Sequence, residues 1–155
     1  MTTYPADQVA SVAVGEARTI LTDFGLPDGR PAPFHPAHTL HQLDSDPRYL
    51  VIGAWGREGV LIALDIEDGR VVGYTPWANE IYQVNTSLHR FVDCINAIKA
   101  AAPLSPDNPR YNSYDAAGDH VLAALAAIDP DELSDSDSFW LDIADDIKVG
   151  DYDTE

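Results

Sequence analysis

Between Tyr49 and Ile98 the chain repeats one device and then changes it. Short runs of β-type residues, YLVIGAW, VLIALDI, RVVGYT and IYQV, are separated by glycine or loop signals, and the last feeds directly into a helix opening NTSLHRF. Closely spaced runs of this kind pair as neighbouring strands, and Asp68-Gly69 between two of them is a tight-hairpin signal. Residues 57–59 are expected to turn the preceding pair. Residues 76–79 are expected to form a longer connection to a strand at 81–84. Asn85 or Thr86 is then placed to cap a helix. Leu88, Phe91, Val92, Ile95 and Ile98 form its inward stripe. No residue in this block has an evident chemical role, which points away from catalysis and toward recognition.

The flanks read as helix and loop. Val9, Val12, Ala13, Ala17, Ile20, Leu21 and Phe24 recur at helical spacing and predict one helix over residues 6–24, stopped by Gly25 and Pro27. Residues 28–48, rich in Pro, Asp and His, read as loop with one irregular strand near 39–43. After the central helix, Val121, Leu122, Leu125 and Ile128 predict a helix over 115–128, broken at Asp129-Pro130. A last helix is expected from about Ser134, with Asp135 and Asp137 in its first turn and Trp140, Ile143, Ala144 and Ile147 facing inward. The order of elements predicts an α+β fold: one domain over residues 1–150 with an N-terminal helix, a small, mainly antiparallel twisted sheet and packed C-terminal helices. Residues 151–155, DYDTE, read as a frayed acidic tail.

Charge narrows the partners. Twenty-six acidic and nine basic residues give a net charge of −17, and residues 105–155 alone carry 14 acids and two bases. Such a surface repels phosphate and anionic lipid, so nucleic acid and membranes are excluded as expected partners. A basic protein is the natural complement, although acidity can equally serve solubility. MTTYPADQ has neither a basic region nor a long apolar run, so no secretory signal is expected and the chain reads as cytoplasmic. The single cysteine, Cys94, sits mid-helix among apolar neighbours and reads as a packing residue.

A search for chemistry finds little. Phosphate-cradling glycine patterns, the nucleophile elbow and the zinc-protease helix motif are absent. His35, His38 and His41 have a spacing that invites a metal, but in a strand His38 points away from the other two, and only an irregular loop could converge all three. DIEDGR at 65–70 superficially resembles a calcium loop, yet its glycine comes one position early and Pro76 stands where the bidentate Glu belongs. No catalytic, cofactor-binding or metal-binding residue is assigned, and the expectation is a protein that is not an enzyme. Partner-binding candidates are Asp142, Asp145 and Asp146, whose like charges sit side by side on the last helix at a cost of about 0.2–0.5 kcal/mol per pair. Trp55 and Trp77, at strand ends or loops, join them, because Trp is enriched at binding hot spots.

The series GLP at 25–27, YLVIG at 49–53, IALDIEDGRVV at 62–72, VNTSLHRFVDCI at 84–95 and FWLDIADDIKVG at 139–150 resembles the SUKH superfamily, most closely its fourth immunity-protein family. The resemblance implies a bacterial cytoplasmic protein that binds a polymorphic toxin, typically the product of the adjacent gene, and blocks it stoichiometrically. Nucleases and nucleic-acid deaminases are prominent among such toxins, and their basic grooves suit an acidic inhibitor. The family pattern marks no toxin-contacting residues. Two other readings stay open at this point: a regulatory or scaffolding module of the wider SUKH group, and a metal-dependent enzyme using the three histidines.

Overall fold

A computed structural model describes residues 1–152. Its centre is a five-stranded antiparallel meander in the order β1-β2-β3-β4-β5. The strands are β1 (Phe34–Leu43), β2 (Asp46–Trp55), β3 (Val60–Asp65), β4 (Val71–Thr75) and β5 (Glu80–Asn85). Their turns follow the sequence signals. Gly56, Gly59 and Gly69 adopt positive φ, and Asn79 closes the β4–β5 connection at φ 51°, a conformation asparagine tolerates better than most residues.

The helices are α1 (Gly15–Thr19), α2 (Leu88–Ala101), α3 (Tyr114–Ile128), the single turn α4 (Pro130–Leu133) and α5 (Phe139–Lys148). They gather on one face of the sheet. Phe34, Leu50, Ile52, Ile62, Leu64, Val71 and Val84 from the strands share one core with Phe91, Ile95 and Ile98 of α2, Val121 and Leu125 of α3, and Trp140, Ile143 and Ile147 of α5. Gly118 lets α3 and α5 approach closely: a Cβ there would lie 3.0 Å from the Ala144 carbonyl oxygen. Among the described residues no helix is long and apolar enough to cross a membrane.

Five expectations need correction. The helix over 6–24 is three pieces: a 3-10 turn at Ala6–Val9, α1, and a π turn at Ile20–Phe24. Val9, Val12, Ala17, Ile20 and Leu21 are buried as the periodicity requires. The backbone between them is diverted because Ala13 N–H donates to the Ile66 carbonyl at 2.8 Å. Val14 is extended at φ −80°, ψ 115°, and Arg18 Nη1 bonds the Val12 carbonyl at 2.7 Å. Residues 28–48 are not mainly loop: β1 is ten residues long, with register shifts between Pro36 and His41 and between Gln42 and Leu43. As an edge strand it can hold a proline.

Ser87, not Asn85 or Thr86, caps α2, accepting from Arg90 N at 3.2 Å. The last helix starts at Phe139, capped by Ser138, so Asp135 and Asp137 lie in the turn before it. Finally, Tyr152 packs against the core, so the packed domain extends past residue 150. Residues 153–155 lie outside the described region.

Candidate interaction surface

The β5–α2 handover is fixed by a buried carboxylate. Asp129, between α3 and α4, accepts from Asn85 Nδ2 at 3.0 Å, Thr86 N at 2.9 Å, Thr86 Oγ1 at 3.0 Å and Arg90 Nη1 at 3.1 Å. Asn85 Oδ1 in turn accepts from Trp140 Nε1 at 2.9 Å. Burial pushes the Asp129 carboxyl upward, but the bonds from Thr86 and Asn85 and the charge of Arg90 outweigh it and hold the group below the ordinary carboxylate range. Cys94 completes the cluster, with Asn85 Nδ2 3.6 Å from Sγ, and burial raises its thiol to about 12. That thiol is a poor nucleophile. No buried side-chain polar atom of the described residues lacks a partner, and this network ties β5, α2, α3 and α5 together.

The sequence-selected contact residues part company. Trp55 is 7 % exposed. It packs edge-on against Phe139 at 4.9 Å and Trp140 at 5.7 Å, because the last position of β2 falls in register with Phe34 and Val60 on the core face. This corrects its reading as a surface contact. Trp77 is 61 % exposed. Its loop is braced where Tyr74 OH donates to Asn79 Oδ1 at 3.0 Å.

On α5, Asp142 and Asp145 are exposed and Asp146 is half-buried. Burial first, then Asp151, Asp142 and Asp145, raises the Asp146 carboxyl. Lys148 pairs its Nζ with Asp119 of α3 at 3.1 Å, and its charge also reaches Asp145. Asp142 and Glu80 both act on the Tyr82 hydroxyl, whose proton is held mainly by burial and secondarily by those two charges. One end of the acidic helix therefore borders the end of β5 that carries the Trp77 loop.

The net charge is sharpened by how the bases are used. Arg48 bonds Asp65 at 2.7 Å, Arg70 bonds Gln83 at 2.6 Å, Arg90 pairs with Asp129, and Lys99 pairs with Asp28. Arg18 and Arg110 bond backbone carbonyls. With Lys148 this occupies seven of the nine bases, and the excess carboxylates face solvent without cations. Arg30 and Arg57 border one notch with His35 at the β1–β2 end of the sheet.

His35, His38 and His41 are all exposed and, because β1 is irregular, all border one shallow depression on the sheet. Among the described residues no group of three or more His, Cys, Asp or Glu side chains is arranged to hold a metal ion.

Two features escaped the sequence reading. The Asp129 network joins positions 39 to 55 residues apart and has no local signature. The other is the sheet face opposite the helices, which is apolar where an antiparallel sheet facing water usually alternates. Its signal is present in YLVIGAW and VLIALD, runs apolar at successive positions and so on both faces.

The family model of the SUKH-4 immunity protein matches residues 1–146. No curated protein and no solved structure matches the chain.

Proposed function

The chain belongs to the SUKH-4 immunity protein family, and from that membership we propose that it binds a cognate toxin one-to-one in the bacterial cytoplasm and blocks it without doing chemistry. The family match across nearly the whole chain carries this reading. The net charge of −17 supports a basic partner such as a toxin domain that acts on nucleic acid. The exposed carboxylates Asp142 and Asp145 with half-buried Asp146, and the exposed Trp77, are the sequence-selected residues that remain available to it. Binding by an acidic surface is expected to be fast and salt-sensitive, since exposed charges steer encounter only within a Debye length of about 8–10 Å.

The test is co-expression with the toxin domain encoded by the adjacent gene. Restored growth and a one-to-one complex on size-exclusion chromatography are expected. Growth arrest despite full expression of the soluble protein, with no complex formed, would sink the reading.

A further inference from the structure

We propose that the sheet face opposite the helices is the docking surface for the toxin, and that it takes a protein segment in which an apolar or aromatic side chain is flanked by lysines or arginines. The inference rests on the toxin-binding reading above and gives it a location. Strand register defines the face. Ala54, Leu61, Tyr74 and Ile81 lie across four strands in one row, and Val51, Ala63 and Val72 across three in the next. Side chains alternate between faces along a strand, so these point away from the core residues Leu50, Ile62, Leu64 and Val71. None of the seven belongs to the main core cluster; Val51, Ala63 and Val72 are nonetheless buried, so the accessible part of the face is the half-buried row Ala54, Leu61 and Tyr74 with exposed Ile81.

The surface also has shape. Two depressions, of about 430 and about 250 Å³, lie side by side on it and share His41 and Leu61. Each is large enough for a bulky side chain. At the β4–β5 end, Ile81 is exposed and the exposed Trp77 lies in the adjoining turn, and Trp is among the residue types most often found carrying interface energy.

Size and charge together commit the occupant. Five strands about 4.8 Å apart and five residues at about 3.4 Å each give a face of roughly 19 by 17 Å, or about 320 Å². A standard protein interface needs about 800 Å² per partner. The sheet can thus supply the apolar centre, and the remaining contact must fall on its rim. Asp44 borders the smaller depression and places a carboxylate on its rim. Arg30 and Arg57 stand at the opposite end, beside His35. The face therefore has a direction: cations of the partner belong at the smaller depression, beside Asp44. A second copy of this chain is a poor occupant because it brings another −17 of charge.

The experiment measures calorimetric affinity for the inactivated toxin domain encoded by the adjacent gene. The variants are Leu61→Glu at the centre of the face, Trp77→Ser in its exposed loop, and Phe24→Ser as a control. Phe24 is 66 % exposed but lines a separate groove between α1 and α2. Leu61→Glu and Trp77→Ser are each expected to weaken binding about 30-fold or more, the scale of an interface hot spot. Phe24→Ser should leave affinity unchanged. Acrylamide quenching of Trp77 fluorescence should fall in the complex. Trp77→Ser alters only a solvent-exposed loop side chain, so it remains decisive if Leu61→Glu folds poorly.

Parent-like affinity in Trp77→Ser and in a folded Leu61→Glu overturns the docking surface and leaves the immunity reading standing. A free protein that is dimeric, and becomes monomeric on Leu61→Glu, overturns it in favour of a second copy. A parent protein that fails to bind the toxin domain removes the immunity reading and the docking surface with it.

Discussion

Replacing Asp129 by alanine is expected to destabilise the protein by about 3–4 kcal/mol at pH 7. The carboxylate serves four donors, and they do not count equally. The Arg90 side chain is 40 % exposed, so its guanidinium returns to water at little cost. Asn85 Nδ2, Thr86 N and Thr86 Oγ1 have no such alternative, and a buried or half-buried donor left without its acceptor costs about 1–3 kcal/mol. Three such losses at the low end of that range set the estimate, a large share of a typical stability of about 5–15 kcal/mol. Asn85 also positions the acceptor for Trp140 Nε1, so the damage should reach α5. Urea denaturation followed by tryptophan fluorescence measures the loss.

The same variant has a signature in pH. The folded-state value of Asp129 is depressed below 3.8. Its contribution is therefore complete above that unfolded-state value and is lost as pH falls through the folded value. Between pH 5 and the acid limit the parent should lose stability more steeply than Asp129→Asn. A loss under about 1 kcal/mol at pH 7, or an identical acid limb in both proteins, would refute the role given to this carboxylate.

Three other outcomes are expected. Asp146→Asn should stabilise the protein by about 0.5–1 kcal/mol at neutral pH, from the relief of two or three like-charge neighbours. Because its folded-state value is raised above 3.8, the gain should vanish below that pH, where the parent carboxyl is protonated in both states; urea midpoints at pH 7 and pH 3 test both halves. Gly53→Ala should cost about 1–3 kcal/mol by overpacking, since its Cβ would lie 2.5 Å from the Phe34 ring and 2.6 Å from the His35 carbonyl; a thermal midpoint equal to the parent's would contradict that geometry. Combined Asp142, Asp145 and Asp146→Ser should slow association with the toxin domain and flatten its salt dependence while leaving dissociation nearly unchanged; stopped-flow rates at two ionic strengths would show it, and an unaltered on-rate at low salt would place the steering charges elsewhere.

Local chemistry explains which parts of the fold were legible in the sequence. Asp68-Gly69 could be read because a tight hairpin demands the positive φ that Gly69 adopts. The α5 stripe could be read because Trp140, Ile143, Ala144 and Ile147 fall on one helical face and are all buried. The N-terminal periodicity marked five buried residues but also Ala13 and Phe24, which are exposed, and it missed the break, which comes from a hydrogen bond to Ile66, about fifty residues away. β1 was mostly missed because Pro36, three histidines and the bulge hide its alternation, while its partner strand supplies the order. At the candidate surface, Trp77, Asp142 and Asp145 are exposed and Asp146 is half-buried. Trp55 is buried, because strand register rather than its position at a strand end decides which way it faces.

The residues that hold the β5–α2 handover and those proposed to meet the partner are under opposite physical demands. VNTS at 84–87, Asp129 and Trp140 are tied together through Asn85, so a change at any of them disturbs β5, α2 and α5 at once. Leu61 and Tyr74 on the outer sheet face, and Trp77 in its loop, make no contribution to the main core cluster, and substitutions outside such cores usually move stability by less than about 0.5 kcal/mol. A binding protein built this way can change what it recognises without refolding. The apolar outer face has its own cost, since it is a standing invitation to self-association. The net charge of −17 offsets that cost by keeping like copies apart, and on the docking proposal the same charge draws in a basic partner. Removing charge without touching the sheet separates the two effects: neutralising Asp44, Glu80 and Asp142 together should make the free protein associate at millimolar concentration while weakening its capture of the toxin domain. A charge-neutralised variant that stays monomeric by light scattering would mean that the outer face does not drive association on its own.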